Sequence, residues 1–391
     1  MTINKQQPPR LDLLLYAHDG RGLGHVARMV AIGLAVRRLY TELRVLLVTG
    51  CRQAGELIGP APLDWLKLPA YATEVVAGKS RGVAGLSGFS DHELGQIRAD
   101  QILHIVERYR PRLVLADHTP QGKHKELVPC LEAFGQSDDI TWLLGMRGVI
   151  GGVEQAASAG ARDLFRRFYS SLLWYGDAAI LGDDHKEILA QRFGLAPVEC
   201  GYVSRLSELS HFLPVHNGSY ACTVSVPWFG EHTHHFVDLL VQSIQRLGGE
   251  YGQWRLFLAE GADPSHLHIL NSLAYCTVEP PSTHYMEAIS SSKMAVIFGG
   301  YNSLVDVLAL NIPAVVIVRN MQDMEQQRHV EKLTLAFPDT LSVLEEQKCT
   351  PTQLYQKILF PLQNSFSPAL HRAINLAGAE NSAHHIAALL S

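Results

Sequence analysis

One stretch, residues 294–328, limits the fold more than any other: MAVIFGGYNSLVDVLALNIPAVVIVRNMQDMEQQR. A short apolar run at 295–298 ends in two glycines, and a helical pattern follows. After Pro313 a second apolar run at 314–318 leads to a polar helix start. Two apolar strands joined through a helix pair in parallel, because the crossover carries the chain back to the same edge. Strands that are apolar without alternation are buried on both faces, so the sheet needs helices on either side. Gly299 and Gly300 are expected to turn tightly and to bring the N–H groups near Asn302 and Ser303 toward a ligand. Unpaired N–H groups and the macrodipole make such a helix end an anion site.

The same alternation runs through the rest of the chain. Apolar runs at 11–17, 45–49, 63–68, 113–116, 142–144, 179–181 and 198–202 predict strands, and residues 25–40 carry apolar positions at helical spacing. A second set of strands is predicted at 221–226, 255–258, 277–279, 295–298 and 314–318. Between 204 and 218 the regularity lapses, which places a domain junction there. A chain of 391 residues exceeds what one core ordinarily supports, roughly 250–300 residues. The expectation is an α/β protein of two Rossmann-like parallel-sheet domains, 1–204 and 205–391. Their ligand sites should face each other across a cleft, since open α/β sheets bind outside the carboxyl ends of their strands. The last helix, about 370–390, is able to pack back on the first domain. The glycine- and serine-rich segment 77–90 breaks the pattern and is expected to be a surface loop.

Bulk properties narrow the function classes. A net charge of -5 argues against general nucleic-acid binding, which leans on a basic face. Cys51, Cys130, Cys200, Cys222, Cys276 and Cys349 form no CxxC pair, which points to reduced thiols in a cytoplasmic protein. The N-terminal MTINKQQPPR is polar and has neither signal-peptide nor anchor character, and no apolar run reaches the ~20 residues a bilayer span needs. Peripheral membrane contact stays open.

The order of groups after residue 294 points to a ligand. A glycine turn for phosphate, Asp306 on the following helix, then Glu325, Gln326 and Gln327 after the next strand is the order expected of a site gripping a nucleotide diphosphate-sugar. A second glycine turn, Gly20, Arg21, Gly22, Leu23, Gly24 and His25, follows the first strand. At these residues the chain resembles the GT-B glycosyltransferases, especially glycosyltransferase family 28, the group around the bacterial lipid-linked peptidoglycan N-acetylglucosaminyltransferase. It is similar too to bacterial glycosyltransferases predicted from sequence whose first loop resembles HDGxGLGH. The family's donor segment is matched by Gly299, Gly300, Tyr301, Asn302, Ser303, Asp306, Pro313, Gln326 and Gln327, and its interdomain crossing by residues 200–205. The chain departs from the family after the first strand of the second domain. There Val226, Pro227, Trp228, Phe229, Gly230, Glu231 and His232 stand where relatives carry a glycine-rich loop. Proline and aromatic residues cannot approach a diphosphate as glycines do.

The resemblance implies an inverting, metal-independent hexosyltransferase that takes a sugar from a nucleotide diphosphate-sugar co-substrate, UDP-linked in the first instance, with no bound cofactor. The acceptor is a small-molecule, lipid-linked or natural-product compound. His25 is then a general base for the acceptor hydroxyl, or a hydrogen-bond donor to an acceptor phosphate; a helix cap is the plainer alternative. An unperturbed imidazole titrates close to neutrality and suits base work. Asp306 would hold the ribose diol and the two glutamines the sugar. Gly22, Gly24, Asp117, His118 and Arg147, at the ends of first-domain strands, would line the acceptor side. His232, His234 and His235 do not form a metal set, since neighbouring positions lie ~100° apart on a helix and no acidic or cysteine partner stands at a standard spacing. A nicotinamide dehydrogenase is disfavoured, because His25 takes the place of the third glycine and Thr49 and Gly50 end the second strand without an acid for the ribose. Two alternatives stay open: a nucleotide-sugar 2-epimerase or hydrolase of the same fold, and a non-catalytic nucleotide-sugar-binding protein.

Overall fold

The computed structural model describes residues 10–17, 23–76, 79–83, 85, 87–148, 158–212, 220–319, 325–364 and 374–391, with backbone alone at 73–76, 79–83 and 325. The chain divides into two compact units: Met1–Phe212 with Asn375–Ser391, and Leu213–Ile374.

The first unit contains β1 (Leu13–Ala17), β2 (Val45–Thr49), β3 (Asp64–Lys67), β4 (Ala72–Val76), β5 (Lys79–Val83), β6 (Leu113–Asp117), β7 (Thr141–Arg147), β8 (Tyr169–Tyr175) and β9 (Val198–Glu199). Seven of them make a parallel sheet in the order β3-β2-β1-β6-β7-β8-β9. Every residue of β1, β2 and β6 is buried, as continuous apolar strands between helical layers require. The helix Gly24–Leu39 is buried without a break from Val26 to Val36. A helix apolar all round needs cover on more than its sheet side. That cover comes from Arg205–Leu209 and from the returning helix Gly378–Leu390, which packs along it. Arg38 ties the three together by bonding Glu208 at 3.1 Å and Glu380 at 3.3 Å.

Two expectations are corrected here. Residues 179–181 are not a strand but part of a short helix, Ala178–Leu181, whose opening N–H at Ala179 is taken by the Asp177 carboxylate at 2.9 Å. The true neighbour of β7 is β8, YSSLLWY, whose two serines interrupt the apolar signal. The segment 77–90 is not all loop: β4 and β5 pair as an antiparallel hairpin. Ser90 then starts the helix Asp91–Tyr109 with a capping box to Glu93.

The second unit contains β10 (Tyr220–Val226), β11 (Gln253–Leu258), β12 (Cys276–Glu279), β13 (Ser292–Phe298), β14 (Ala314–Val318) and β15 (Leu341–Glu345). They form a second parallel sheet, ordered β12-β11-β10-β13-β14-β15. Phe236, Leu240 and Ile244 of the helix Thr233–Leu247 pack in one core with Leu354 and Ile358 of Pro351–Gln363. β15 escapes the sequence pattern because only Leu341 and Leu344 of its five residues are buried.

Each sheet reverses its strand order once, between β1 and β6 in the first unit and between β10 and β13 in the second. At such a reversal the connections leave in opposite directions, and a crevice opens outside the carboxyl ends of the strands.

Candidate active site

In the first unit the reversal brings four sequence-nominated residues together. Gly24 and His25 open the helix after β1, Asp117 ends β6, and Arg147 ends β7. The carboxylate of Asp117 is fully buried and meets Nδ1 of His25. Arg28, one helical turn beyond His25, is also buried and reaches both carboxylate oxygens at 3.2 and 3.3 Å. Its Nη2 stands 3.0 Å from His25 Nδ1. Nδ1 cannot both donate to the carboxylate and accept from the guanidinium. The carboxylate can only accept, so the proton sits on Nδ1 and the basic nitrogen is Nε2. Burial, then the guanidinium groups of Arg28 and Arg147 and the ammonium of Lys123, hold His25 well below the usual histidine range. That direction favours the neutral imidazole.

His118 follows Asp117 with φ 75, and its ring lies 5.0 Å from that of His25. His124 (φ 49) and Lys125 (φ 63) also adopt the left-handed region. Three such residues in one short connection store strain that the surroundings must offset. The anchor is Glu126, fully buried, which accepts from the Tyr16 hydroxyl and from Arg98 Nη2 at 2.7 Å. Arg98 also reaches the Pro69 carbonyl at 2.6 Å, and the Tyr16 hydroxyl accepts the Lys123 N–H at 3.1 Å. Arg28 could have been foreseen, lying three positions from His25 on one helix face. Arg98 and Glu126 carry no such signal, because only the fold makes them neighbours. Gly22, nominated from the sequence, lies outside the described residues.

In the second unit the connection after β13 opens the helix Tyr301–Leu310. The first helical donor is the Leu304 N–H, bonded to Gly300 O at 3.1 Å, so the N–H groups of Asn302 and Ser303 belong to the half-buried first turn, ahead of the helical ladder. The chain turns tightly here, with the Gly300 N–H bonded to Phe298 O at 2.7 Å, but neither glycine takes a positive φ: Gly300 sits at φ -74 and ψ 146, open to any residue. Gly299 is needed for packing, since a Cβ there would stand 2.9 Å from Val330 Cγ2. At Gly300 a Cβ would meet nothing within 4 Å. Space is thus kept clear over the helix start.

The helix Glu325–Ala336 closes this corner, with Val330 against Gly299 and His329 stacked on Tyr301 at 5.7 Å. Gln326 is the second residue of that helix, and its Oε1, like Asn302 Oδ1, is buried without a hydrogen-bond partner among the described residues. A buried carbonyl left unpaired costs about 1–3 kcal/mol, so both are able to accept a donor from water or from a ligand. Asp306 is buried in the second turn. Gln327 turns aside to Glu331 at 2.9 Å, and Glu325 is placed by its backbone at the helix start.

Among the described residues no cluster of metal-ligating side chains occurs, and no helix is long and apolar enough to cross a membrane. All six cysteines are free. Burial pushes Cys130 and Cys276 up to about 12, which removes them as nucleophiles near neutrality.

The sequence matches no family model and no curated protein. Solved structures match along nearly the whole chain. A protein assigned as a UDP-N-acetylglucosamine 2-epimerase from Listeria monocytogenes has a TM-score of 0.64 at 14% identity, covering 97% of this chain and 95% of its own. The glycotransferase of kitacinnamycin gives 0.54 at 13%, covering 98% and 95%. The fold is GT-B. The UDP-GlcNAc 2-epimerase from Neisseria meningitidis, solved bound to UDP-GlcNAc, gives 0.59 at 11%, covering 97% and 99%. A GT-B chain this distant from its structural relatives shares their architecture, and its chemistry has to be read from its own side chains.

Proposed function

We propose that this protein is an inverting glycosyltransferase. The second unit holds a nucleotide diphosphate-sugar, UDP-linked in the first instance, and the first unit holds the acceptor. The observation that carries this reading is the imidazole of His25 at the first sheet's reversal, oriented by Asp117 and held below the usual histidine range by burial and its cationic neighbours. Asp117 fixes the tautomer, so Nε2 can take the proton of an acceptor hydroxyl as that oxygen attacks the anomeric carbon. A protein that merely bound nucleotide-sugars would have no use for such a base. On the donor side, the start of the helix Tyr301–Leu310 would stabilise charge building on the departing diphosphate, without a divalent ion. Asp306 would accept from the ribose hydroxyls, while Asn302 and Gln326 offer carbonyls to donors on the ligand. Free thiols suit a cytoplasmic setting.

A second reading, sugar 2-epimerisation or hydrolysis, is favoured by the higher TM-scores of the epimerases, 0.64 and 0.59 against 0.54. Product analysis separates the two. UDP-sugars are incubated with and without an acceptor panel and followed by NMR and mass spectrometry. Acceptor-dependent UDP release with a glycosylated product supports transfer. An epimer, or free sugar formed without acceptor, replaces it by the second reading. In parallel, Asp306→Ala should weaken UDP-sugar binding about tenfold or more, as a charge-assisted hydrogen bond is worth roughly 1.5–3 kcal/mol. Unchanged affinity by calorimetry would remove Asp306 from the donor site.

A further inference from the structure

The segment 226–232, where the sequence departs from the glycine-rich loop of its relatives, lies at the reversal of the second sheet, directly after β10. Four connections at this edge meet on one side chain. Arg319 follows β14 and is buried. Its Nη2 donates to the Trp228 carbonyl at 2.8 Å and to Thr233 Oγ1 at 3.1 Å. Its Nε lies 3.2 Å from both carboxylate oxygens of Glu346, the residue after β15. Thr233 Oγ1 donates to Glu346 at 2.7 Å and accepts the Gly230 N–H at 2.9 Å. The guanidinium carbon lies over two aromatic rings, 3.5 Å from the centroid of Trp228 and 4.0 Å from that of Phe298. Phe298 is the residue immediately before Gly299. Gly230 is required for this arrangement, since a Cβ there would stand 2.7 Å from the Trp228 ring.

We propose that Arg319 is a positioning residue of the donor site, clamping the segment 226–232 and the turn at Gly299 and Gly300 to the ends of β14 and β15. The proposal rests on the assignment of the donor to this unit. A buried ion pair is weak evidence for stability, because well-packed apolar residues often do as well or better. What an apolar residue cannot do is hold a backbone carbonyl, a hydroxyl and a carboxylate at fixed angles while stacking on two rings. A planar guanidinium does all of this, and lysine does not. Glycines would let a loop mould itself to a diphosphate. This chain instead holds a stiff aromatic segment in place, so the site's shape depends on the clamp. Arg319 itself sits beneath the site and need not touch the ligand.

The test compares wild type, Arg319→Lys and Arg319→Met by calorimetry with UDP and UDP-GlcNAc, alongside thermal unfolding. Lysine keeps the charge opposite Glu346 and methionine keeps part of the stem packing. Both variants should fold, and in both the affinity for at least one ligand should fall about tenfold or more. Lysine should recover most of the melting temperature without recovering affinity, a split that a purely structural role would not produce. Wild-type affinity in the folded variants overturns the proposal and leaves the donor assignment standing. Affinity that returns together with stability in Arg319→Lys also overturns it. Wild-type protein that binds neither ligand removes the donor assignment and the proposal with it. If methionine prevents folding, the lysine variant alone decides.

Discussion

Single residues at the two sheet reversals make the sharpest claims. Gly300 has ordinary φ and ψ values, and a Cβ added there would have no atom within 4 Å, so Gly300→Ala should leave thermal stability unchanged. If the cleared space belongs to a ligand, the same methyl group should weaken UDP-sugar binding about tenfold. Equal affinity with equal stability would mean that nothing docks there. His25→Ala should lower turnover about 10²–10⁴-fold, the range for losing a general base, with donor affinity retained. Near-normal turnover would reduce His25 to a helix-start residue. The pH dependence has a definite sign. His25 must be neutral to act, and its pKa in the folded protein is depressed. The acid limb of kcat/KM should therefore lie below the usual histidine range. Arg147→Met removes one of the causes and should move that limb to higher pH; no movement would discount Arg147 as an electrostatic neighbour. The unfolded chain protonates His25 first as pH falls through about 6.5, so this residue's contribution to stability is lost progressively below that value.

At the scale of elements, the strained connection after β6 stands or falls with the buried group that fastens it. Glu126→Ala leaves Arg98, fully buried, without its carboxylate and releases the Tyr16 hydroxyl. Breaking a buried pair in this way costs about 3–5 kcal/mol. Urea denaturation should show a loss of that size, and a loss under about 1 kcal/mol would mean that the pair is not the anchor. The elements also differ in how far local sequence specifies them. β1, β2 and β14 are legible because runs of four or five apolar residues need cover on both faces. The helix Asp91–Tyr109 carries its capping box in plain view. β8 is not legible. Its serines look like a break, and it is a strand because β7 on one side and β9 on the other take its backbone. The reverse holds for 179–181, apolar enough for a strand but turned into a helix by the Asp177 cap.

Across the whole molecule, the C-terminal helix carries weight out of proportion to its length. Gly378–Leu390 buries Ala379, Ala383, Ile386 and Leu390 and covers the helix that begins with the candidate base. Two large apolar side chains at about 1.5–3 kcal/mol each make its removal cost on the order of 5 kcal/mol, comparable with a typical domain's entire stability. Deleting 375–391 should therefore strip amide-exchange protection from β1, β6 and the helix Gly24–Leu39, while β10 and β13 keep theirs. Unchanged protection in the first unit would contradict the packing argument. The division into parallel α/β units is written in local pattern, because strand burial and helix period act over a few residues. Pairings across the chain are not written that way. Arg28 with Asp117 spans 89 positions, Arg319 with Trp228 spans 91, and the last helix meets the first only after the whole chain has folded. Local pattern names the groups that can do chemistry. Tertiary structure decides which charges face them, and so which protonation state and which shape they take.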